Sequence, residues 1–401
     1  MEIKNLLQIG VGKTGNVLLN EMMELDKRYV GLFVNSAKGD MENLSNYTED
    51  NSFAIPQTNG SGKDREKAKG YIRQWSQSFF ELLSNYSSYD TIVFYFSLDG
   101  GTGSGSVPTL ATITKNLFKR DYGKDVNIIA VGVMPNSTVG LNGLKNAVDC
   151  YYDIKALMRN HIDPHTMQVK IDENGYEETP IINTLYLIDN NKRNGNYEEI
   201  NAEAVEMLNL AFQFDTLNTT GDLDKNDSTN INLSRGYNLL LKLDEAESEE
   251  QAILDAKENS VFVMPSEEYY NPQNIGIALK YDVFDRNNMD KLVGIALENV
   301  YPAPVDEEDE IDGAIFFGGI RLGLIENSVK AISDIITDRE RMLSKDTDSF
   351  DDLFADTVRP TRTATRNSSK TSAPRPKPAK AKPSRTGRKS RGVIDDSLFE
   401  I

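Results

Sequence analysis

The chain has 401 residues, 39% of them hydrophobic, and a formal net charge of -18. That length supports two cores of ordinary size or one large one. No run approaches the ~18 consecutive apolar residues of a membrane helix, and Cys150, the single cysteine, excludes an intrachain disulfide and a cysteine-based zinc site. The charge is uneven. From Thr357 to the end there are 12 basic and 3 acidic residues, which leaves 32 basic and 59 acidic residues before it. An acidic body is poorly suited to binding nucleic acid directly, whereas a basic tail suits an anionic partner or the body of a neighbouring copy. The segment Met1–Gly10 lacks the basic, apolar and small-residue order of a signal peptide and reads as a first strand, so a cytoplasmic protein is expected.

Over the first 190 residues, short apolar runs alternate with helical patterns. Ile3–Ile9, Tyr29–Val34, Thr91–Ser97, Asn127–Met134 and Thr184–Ile188 are rich in Val, Ile, Phe and Tyr and read as strands. Helices are expected near 15–27, 65–86, 105–119 and 141–159. This alternation predicts a parallel sheet with helices on both faces, whose ligands bind at the carboxyl ends of the strands. A long helix follows, Tyr197 to Asn218. The polar segment Thr219–Asn230 is expected to be a loop. Strands at Leu239–Leu243, Val261–Met264, Ile275–Tyr281 and Ala314–Leu322, with helices between them, read as a second α/β unit. A final helix spans about Leu324 to Met342. Thr357–Gly392, rich in Pro, Ser, Thr, Lys and Arg, has too little apolar surface to offset its ordering entropy and is expected to be disordered. Val393–Ile401 regains apolar character, as a docking peptide on a tether would.

Two glycine-rich turns carry the chemistry. Asp99-Gly100-Gly101-Thr102-Gly103-Ser104-Gly105-Ser106 stands between the strand Thr91–Ser97 and a helix. Its glycines let the backbone approach a ligand closely. Its N–H groups and the helix N-terminus converge as they would on a phosphate chain, with Thr102, Ser104 and Ser106 adding hydroxyl donors. A merely flexible Gly/Ser loop is the plainer reading, but such loops seldom form a strand-to-helix turn in an alternating α/β pattern. Gly10-Val11-Gly12-Lys13-Thr14-Gly15-Asn16 is a second turn of this type and reads as G-x-G-x-x-G, which alone fits a dinucleotide enzyme equally well. Gly12-Lys13-Thr14 is not a P-loop, because Leu7 stands where that motif needs its first glycine.

These residues resemble the tubulin/FtsZ superfamily of GTPases over roughly 3–345. Gly100-Gly101-Thr102-Gly103-Ser104-Gly105 is similar to its signature loop, and Gly10 to Asn16, with Gly12, Lys13, Thr14 and Asn16, to its first phosphate loop. Asn35, in Val34-Asn35-Ser36-Ala37, matches a further phosphate-contacting loop. Asn190, in Asp189–Lys192, and Asn201, on the long helix, match the two asparagines that read guanine. Pro135, Asn136 and Asn142 lie in the loop expected to complete the nucleotide site. Gly221–Asp227 resembles the catalytic loop N-x-D-x-x-D, with Asp222 in place of the Asn and Asp224 and Asp227 as the acids. Val139 and Gly143 stand by position where FtsZ has a ribose-holding Glu and a nearby Arg, which argues against cell-division FtsZ. The basic tail and divergent second half resemble instead the TubZ type of plasmids and phages, a clostridial phage being the expected source.

The resemblance implies a parallel Rossmann-like GTPase sheet at 1–196, a central helix at 197–218 and a second α/β activation domain at 219–323 with its catalytic loop at 219–230. A C-terminal helix at 324–356 and a disordered basic tail at 357–401 follow. It implies GTP/GDP and Mg²⁺ as ligands, head-to-tail filaments in which the catalytic loop completes a neighbour's site, and DNA segregation through a DNA-binding adaptor that captures the tail. A non-hydrolysing scaffold, a phage tubulin that positions DNA and a dinucleotide oxidoreductase are the rivals. The last would want an acid where Asn35 stands. His161 and His165 read as surface residues, Trp75 as packing, and Cys150 as buried and inert.

Overall fold

The computed structural model describes residues 5–159, 180–217, 225–267, 270–280, 282–285, 287–289, 300–305 and 311–355, with backbone alone over 302–304 and 344–355. Ten strands form one sheet in the order β3-β2-β1-β4-β5-β6-β7-β10-β8-β9. The first six, β1 (Leu6–Val11), β2 (Val30–Asn35), β3 (Ser52–Ala54), β4 (Thr91–Ser97), β5 (Asn127–Met134) and β6 (Thr184–Asp189), are mutually parallel. Every residue of β1 and β4 is buried, as expected of strands covered on both faces and written as continuous apolar runs. Each Phe in Thr91–Ser97 removed from water contributes roughly 1.5–3 kcal/mol. The helices of this half are α1 (Gly12–Leu25), α2 (Arg65–Leu83), α3 (Thr102–Tyr122) and α4 (Leu141–Leu157). The expected strands and helices of this half are all present, with ends shifted by a few residues. The three-residue β3 is too short to give a period and was not anticipated.

The rest of the body is α5 (Tyr197–Phe212), α6 (Lys225–Asn232), β7 (Gly236–Leu243), α7 (Glu249–Asn259), β8 (Asn274–Leu279), β9 (Val300–Pro304) and β10 (Gly313–Ile320). These strands do not make a separate sheet. β7 pairs with β6 in parallel at Thr184↔Gly236 and Leu185↔Tyr237, and β10 runs antiparallel between β7 and β8. Val261–Met264 is no strand but makes a single antiparallel bridge, Phe262 to Ile188, while β9 was not expected.

The central helix is shorter than expected: its α-helical part ends at Phe212, and Phe214–Leu217 forms a 3₁₀ turn. Lys225–Asn232 is a helix, where a loop was expected. Its sequence is polar, so propensity cannot explain it. Packing does. Ile231 is fully buried, Asn232 donates to the Ala211 carbonyl at 2.8 Å, and Asn238 donates to the Ile231 and Asn232 carbonyls at 3.2 and 3.1 Å. The amides cover carbonyls that a buried helix end would otherwise leave unpaired. The last helix, α8 (Glu326–Ala355), runs past the Met342 end read from its pattern. Up to Ile336 it belongs to the body, where Val329 and Ile332 are buried; a second unit begins at Thr337. No helix among the described residues is long and apolar enough to cross a membrane. His161, His165, the 218–224 segment and the tail 357–401 lie outside the described residues. Trp75 is half-buried against the core, as expected. Cys150 is buried, and burial pushes its thiol up to about 12, so it carries no thiolate at neutral pH.

Two predictions follow from the packing. Gly236 has φ +137°, and a Cβ there would lie 2.5 Å from the Ile320 carbonyl oxygen. Gly236→Ala should destabilise the chain by about 2–3 kcal/mol, measured by urea unfolding, through strain at the β6–β7 junction. Glu21, half-buried on α1, is pushed up to about 7 by desolvation, with repulsion from Glu24 and Glu198 adding to it. A carboxyl raised on folding is protonated in both states below its ordinary range and costs stability as pH rises through the folded value. Glu21→Gln should therefore stabilise the chain at about pH 8 and do little at about pH 4.5. Equal effects at both would refute the assignment.

Candidate functional site

The two glycine turns meet at the carboxyl ends of neighbouring strands. β1 runs into α1 at Gly12, β4 runs into α3 through Asp99–Gly101, and the strands pair from Leu6↔Thr91 to Val11↔Phe96. Gly12 has φ +75°, and a Cβ on it would stand 3.1 Å from the Gly103 nitrogen. Conversely, a Cβ on Gly103 would lie 3.0 Å from the Val11 oxygen, and one on Gly15 2.0 Å from the Tyr95 oxygen. Side chains are thus excluded where α1 crosses β4, and two helix N-termini open on one spot. Such an arrangement presents backbone N–H groups and two positive dipole ends to an anion.

Hydroxyls line the same turn. Thr102 Oγ1 lies 2.7 Å from Ser36 Oγ and 3.3 Å from Ser61 Oγ. Ser104 donates to the Gly100 carbonyl, inside its own helix turn. Ser106 is buried and its hydroxyl has no hydrogen-bond partner. Asn16 is fully buried; its Nδ2 donates to the Val34 carbonyl at 3.3 Å, while its Oδ1 has no partner. Asn35 is buried and shapes the turn after β2, accepting from the Ala37 N–H and donating to Asp40, both at 3.3 Å. Lys13 is exposed and Thr14 half-buried at the start of α1.

A third loop, Gly60–Asp64, was missed. Gly60, Gly62 and Lys63 all have positive φ. A Cβ on Gly101 would fall 2.1 Å from Ser61 Oγ, 2.8 Å from Lys63 Cα and 2.9 Å from Asp64 N, so this loop lies directly on the signature turn. Asn146 of α4 stitches the two, donating to the carbonyls of Lys63, Asp99 and Gly100 at 2.9, 3.3 and 3.2 Å. Arg65 donates to the Ser104 carbonyl at 3.1 Å and to Asp153 at 2.6 Å. The signal in the sequence was the Asn59-Gly60-Ser61-Gly62 stretch, which follows a strand too short to be noticed.

Toward β6, Asn136 Nδ2 donates to the Asn190 carbonyl at 3.1 Å, and the Ser137 N–H donates to Asn191 Oδ1 at 2.9 Å. These bonds lock the loop after β5, with Pro135 at its base, to the loop after β6. Asn190 Oδ1 is buried without a hydrogen-bond partner. An orphaned acceptor of this kind is costly unless a donor reaches it, and the N–H edge of a purine is one such donor. Asn201 lies half-buried in the first turns of α5, and Asn142 is exposed on α4. A Cβ on Gly143 would be 2.5 Å from Val139 Cγ1 and 3.5 Å from Asp99 Oδ2, so the turn at 139–143 faces Asp99. Asp227 lies half-buried in the first turn of α6; Asp222 and Asp224 fall outside the described residues. A cleft of about 800 Å³ between α5, α7 and β7 is lined by none of these loop residues. Among the described residues no group of three or more His, Cys, Asp or Glu could hold a metal.

Comparison with known proteins agrees with this geometry. Residues 5–160 match the model of the tubulin/FtsZ family, GTPase domain. The chain is 26% identical over 254 residues to the tubulin-like protein TubZ of Clostridium botulinum C phage, an alignment covering 63% of each chain and so less than two thirds of that relative. In structure it is similar to Clostridium botulinum phage c-st TubZ lacking its C-terminal tail (TM-score 0.68, 23% identity, 85% of this chain and 99% of that one). It is also similar to a GTPγS-form protofilament of Bacillus thuringiensis serovar israelensis TubZ (TM-score 0.68, 14% identity, 85% and 94%). The strands and glycine turns at 5–160 are therefore similar to the GTPase domain of the tubulin/FtsZ family, in a fold similar to that of TubZ.

Proposed function

We propose that this chain binds GTP between its glycine turns, polymerises head to tail, and hydrolyses GTP where successive subunits meet. The contact of Gly12 with Gly103 carries the reading, since it brings two strand-to-helix turns, each poor at neutralising a triphosphate alone, onto one phosphate chain. Asn190, with its unpaired Oδ1, supports a base at the β6 side, and Asn201 is its proposed companion. Gly12, Lys13, Thr14, Asn16 and Gly100–Gly105 would face the phosphates; Pro135, Asn136 and Asn142 would flank the nucleoside. With no carboxylate cluster able to hold a metal among the described residues, a Mg²⁺ ion would be held chiefly by the phosphates, as is usual for this ion.

Hydrolysis needs a positioned water. Asp227, at the head of α6, with Asp222 and Asp224 in the preceding segment, is proposed to orient that water on the next subunit's GTP. The contact is heterologous and repeats without closing, which produces a filament. The protofilament form of the Bacillus thuringiensis relative supports self-association here. The basic tail, residues 357–401, is proposed to be captured by a DNA-binding adaptor, so that the filament moves a plasmid or phage genome. Many weak tail contacts along a polymer would act through avidity.

GTP turnover measured against protein concentration, with light scattering on the same samples, should show a rate per molecule that rises at the concentration where scattering begins. A flat rate with no scattering would overturn the reading. Asp227→Ala should assemble but hydrolyse about a hundredfold more slowly. Unchanged turnover in assembled samples would remove Asp227 from the site. Deletion of residues 357–401 should leave assembly intact and abolish co-sedimentation of filaments with the adaptor–DNA complex. Retained co-sedimentation would refute the role of the tail.

A further inference from the structure

We propose that Asp99 holds the sugar of the nucleotide by accepting hydrogen bonds from its hydroxyls, and that the site thereby prefers a ribonucleotide to one lacking them. The assignment rests on the guanine-nucleotide reading above. In the sheet, β5 lies between β4, which leads into the signature turn, and β6, which leads into Asn190. A nucleotide with its base at Asn190 and its phosphates in the β1 and β4 turns therefore lays its sugar across the loop that follows β5.

That loop offers a sugar no charged group, since Pro135 to Gly143 contains none. Asn136 is engaged at both ends: its Nδ2 donates to the Asn190 carbonyl at 3.1 Å, and its Oδ1 accepts from the Thr138 N–H at 2.9 Å. Val139 is apolar, and a Cβ at Gly143 would stand 2.5 Å from Val139 Cγ1. The same Cβ would lie 3.5 Å from both Cβ and Oδ2 of Asp99. The carboxylate in front of this loop thus comes from the opposite side, from the first residue of the signature turn. Ser97 donates to Asp99 Oδ1, and Asn146 donates to the Asp99 carbonyl at 3.3 Å, which fixes the residue at two points. Oδ2 has Lys63 Nζ at 3.8 Å, too far for a hydrogen bond, and the side chain is 20% exposed, so that it is reachable. Asp189, the carboxylate at the end of β6, is committed to its own turn, accepting from the N–H and the Nδ2 of Asn191 at 3.0 and 2.8 Å. A carboxylate repels a phosphate, so Asp99 beside the phosphate turn calls for a neutral donor. An ionised carboxylate only accepts, and O–H groups of a sugar give it charge-assisted bonds. A site built to bind a hydroxyl rejects the analogue that lacks it, because the acceptor is left unpaired.

Equilibrium binding of GDP and of 2′,3′-dideoxy-GDP to the full chain, below the concentration at which scattering begins, tests this. The unaltered chain should bind GDP at least about tenfold more tightly than the dideoxy nucleotide, the worth of a charge-assisted hydrogen bond. Asp99→Ala should weaken GDP by about that factor and shift the dideoxy nucleotide by less than about twofold, so that the preference disappears. Asp99→Asn, which keeps the size and loses the charge, should fall between the two. Binding of the dideoxy nucleotide at unaltered strength shows that the site of each variant is folded. Equal affinity of the unaltered chain for the two nucleotides, equal losses of both in Asp99→Ala, or a preference that survives in Asp99→Ala would overturn the assignment while leaving the nucleotide site standing. Failure of the unaltered chain to bind either nucleotide would overturn the guanine-nucleotide reading, and this assignment with it.

Discussion

Two backbones approach each other in this protein with no side chain between them. α1 lies across the end of β4 so closely that a methyl group on Gly15 would meet the Tyr95 oxygen at 2.0 Å, and the first turn sits against Gly103. The interior of a protein is close-packed, and an added methyl group is felt immediately. Glycine at 12, 15 and 103 is therefore what allows the two helices to start side by side. Two helix N-termini then share one opening, and the hydroxyls of Ser36, Ser61 and Thr102 are drawn into a single cluster.

Around that contact the remaining loops are tied by side-chain amides more than by ion pairs. Asn146 joins the Gly60–Asp64 loop to the signature turn, Asn136 and Asn191 join the loops after β5 and β6, and Asn232 and Asn238 fasten α6 beneath the end of α5. An amide both donates and accepts, so one residue can bind two or three backbone groups and fix a loop without bringing net charge beside a phosphate. The amide oxygens of Asn16 and Asn190, which have no partner, stand out against this pattern of satisfied amides. Asn16 lies in the first glycine turn, and Asn190 in the loop that the family resemblance implied as ligand-bearing.

The carboxyl-terminal half extends the sheet instead of forming its own. The parallel pairing of β6 and β7 is short, and the antiparallel β10 between β7 and β8 carries the sheet on to β9. α5 thus runs beside a continuous sheet, and a polar bridge fixes its last turn. Gln213 accepts from Arg28 at 2.7 Å and donates to Asn209 at 2.6 Å, and Tyr29 donates to Asn209 at 2.8 Å. The segment that leads on to Asp227 leaves from an anchored point.

Local pattern alone marked most elements of the first half and the two glycine turns that meet at Gly12 and Gly103. Parallel strands buried on both faces must be written as apolar runs, and a tight strand-to-helix turn must be written in glycine, so both are visible one residue at a time. Tertiary structure decided the rest. β3 has only three residues, too few for a period, and the Gly60–Asp64 loop gains its meaning only by lying on Gly101. Lys225–Asn232 is too polar to be read as a helix, yet it is one because Asn232, Asn238 and buried Ile231 hold it. Whether β7 to β10 make a second sheet or prolong the first depends on pairings between residues some fifty positions apart, Thr184 with Gly236, which no local pattern contains.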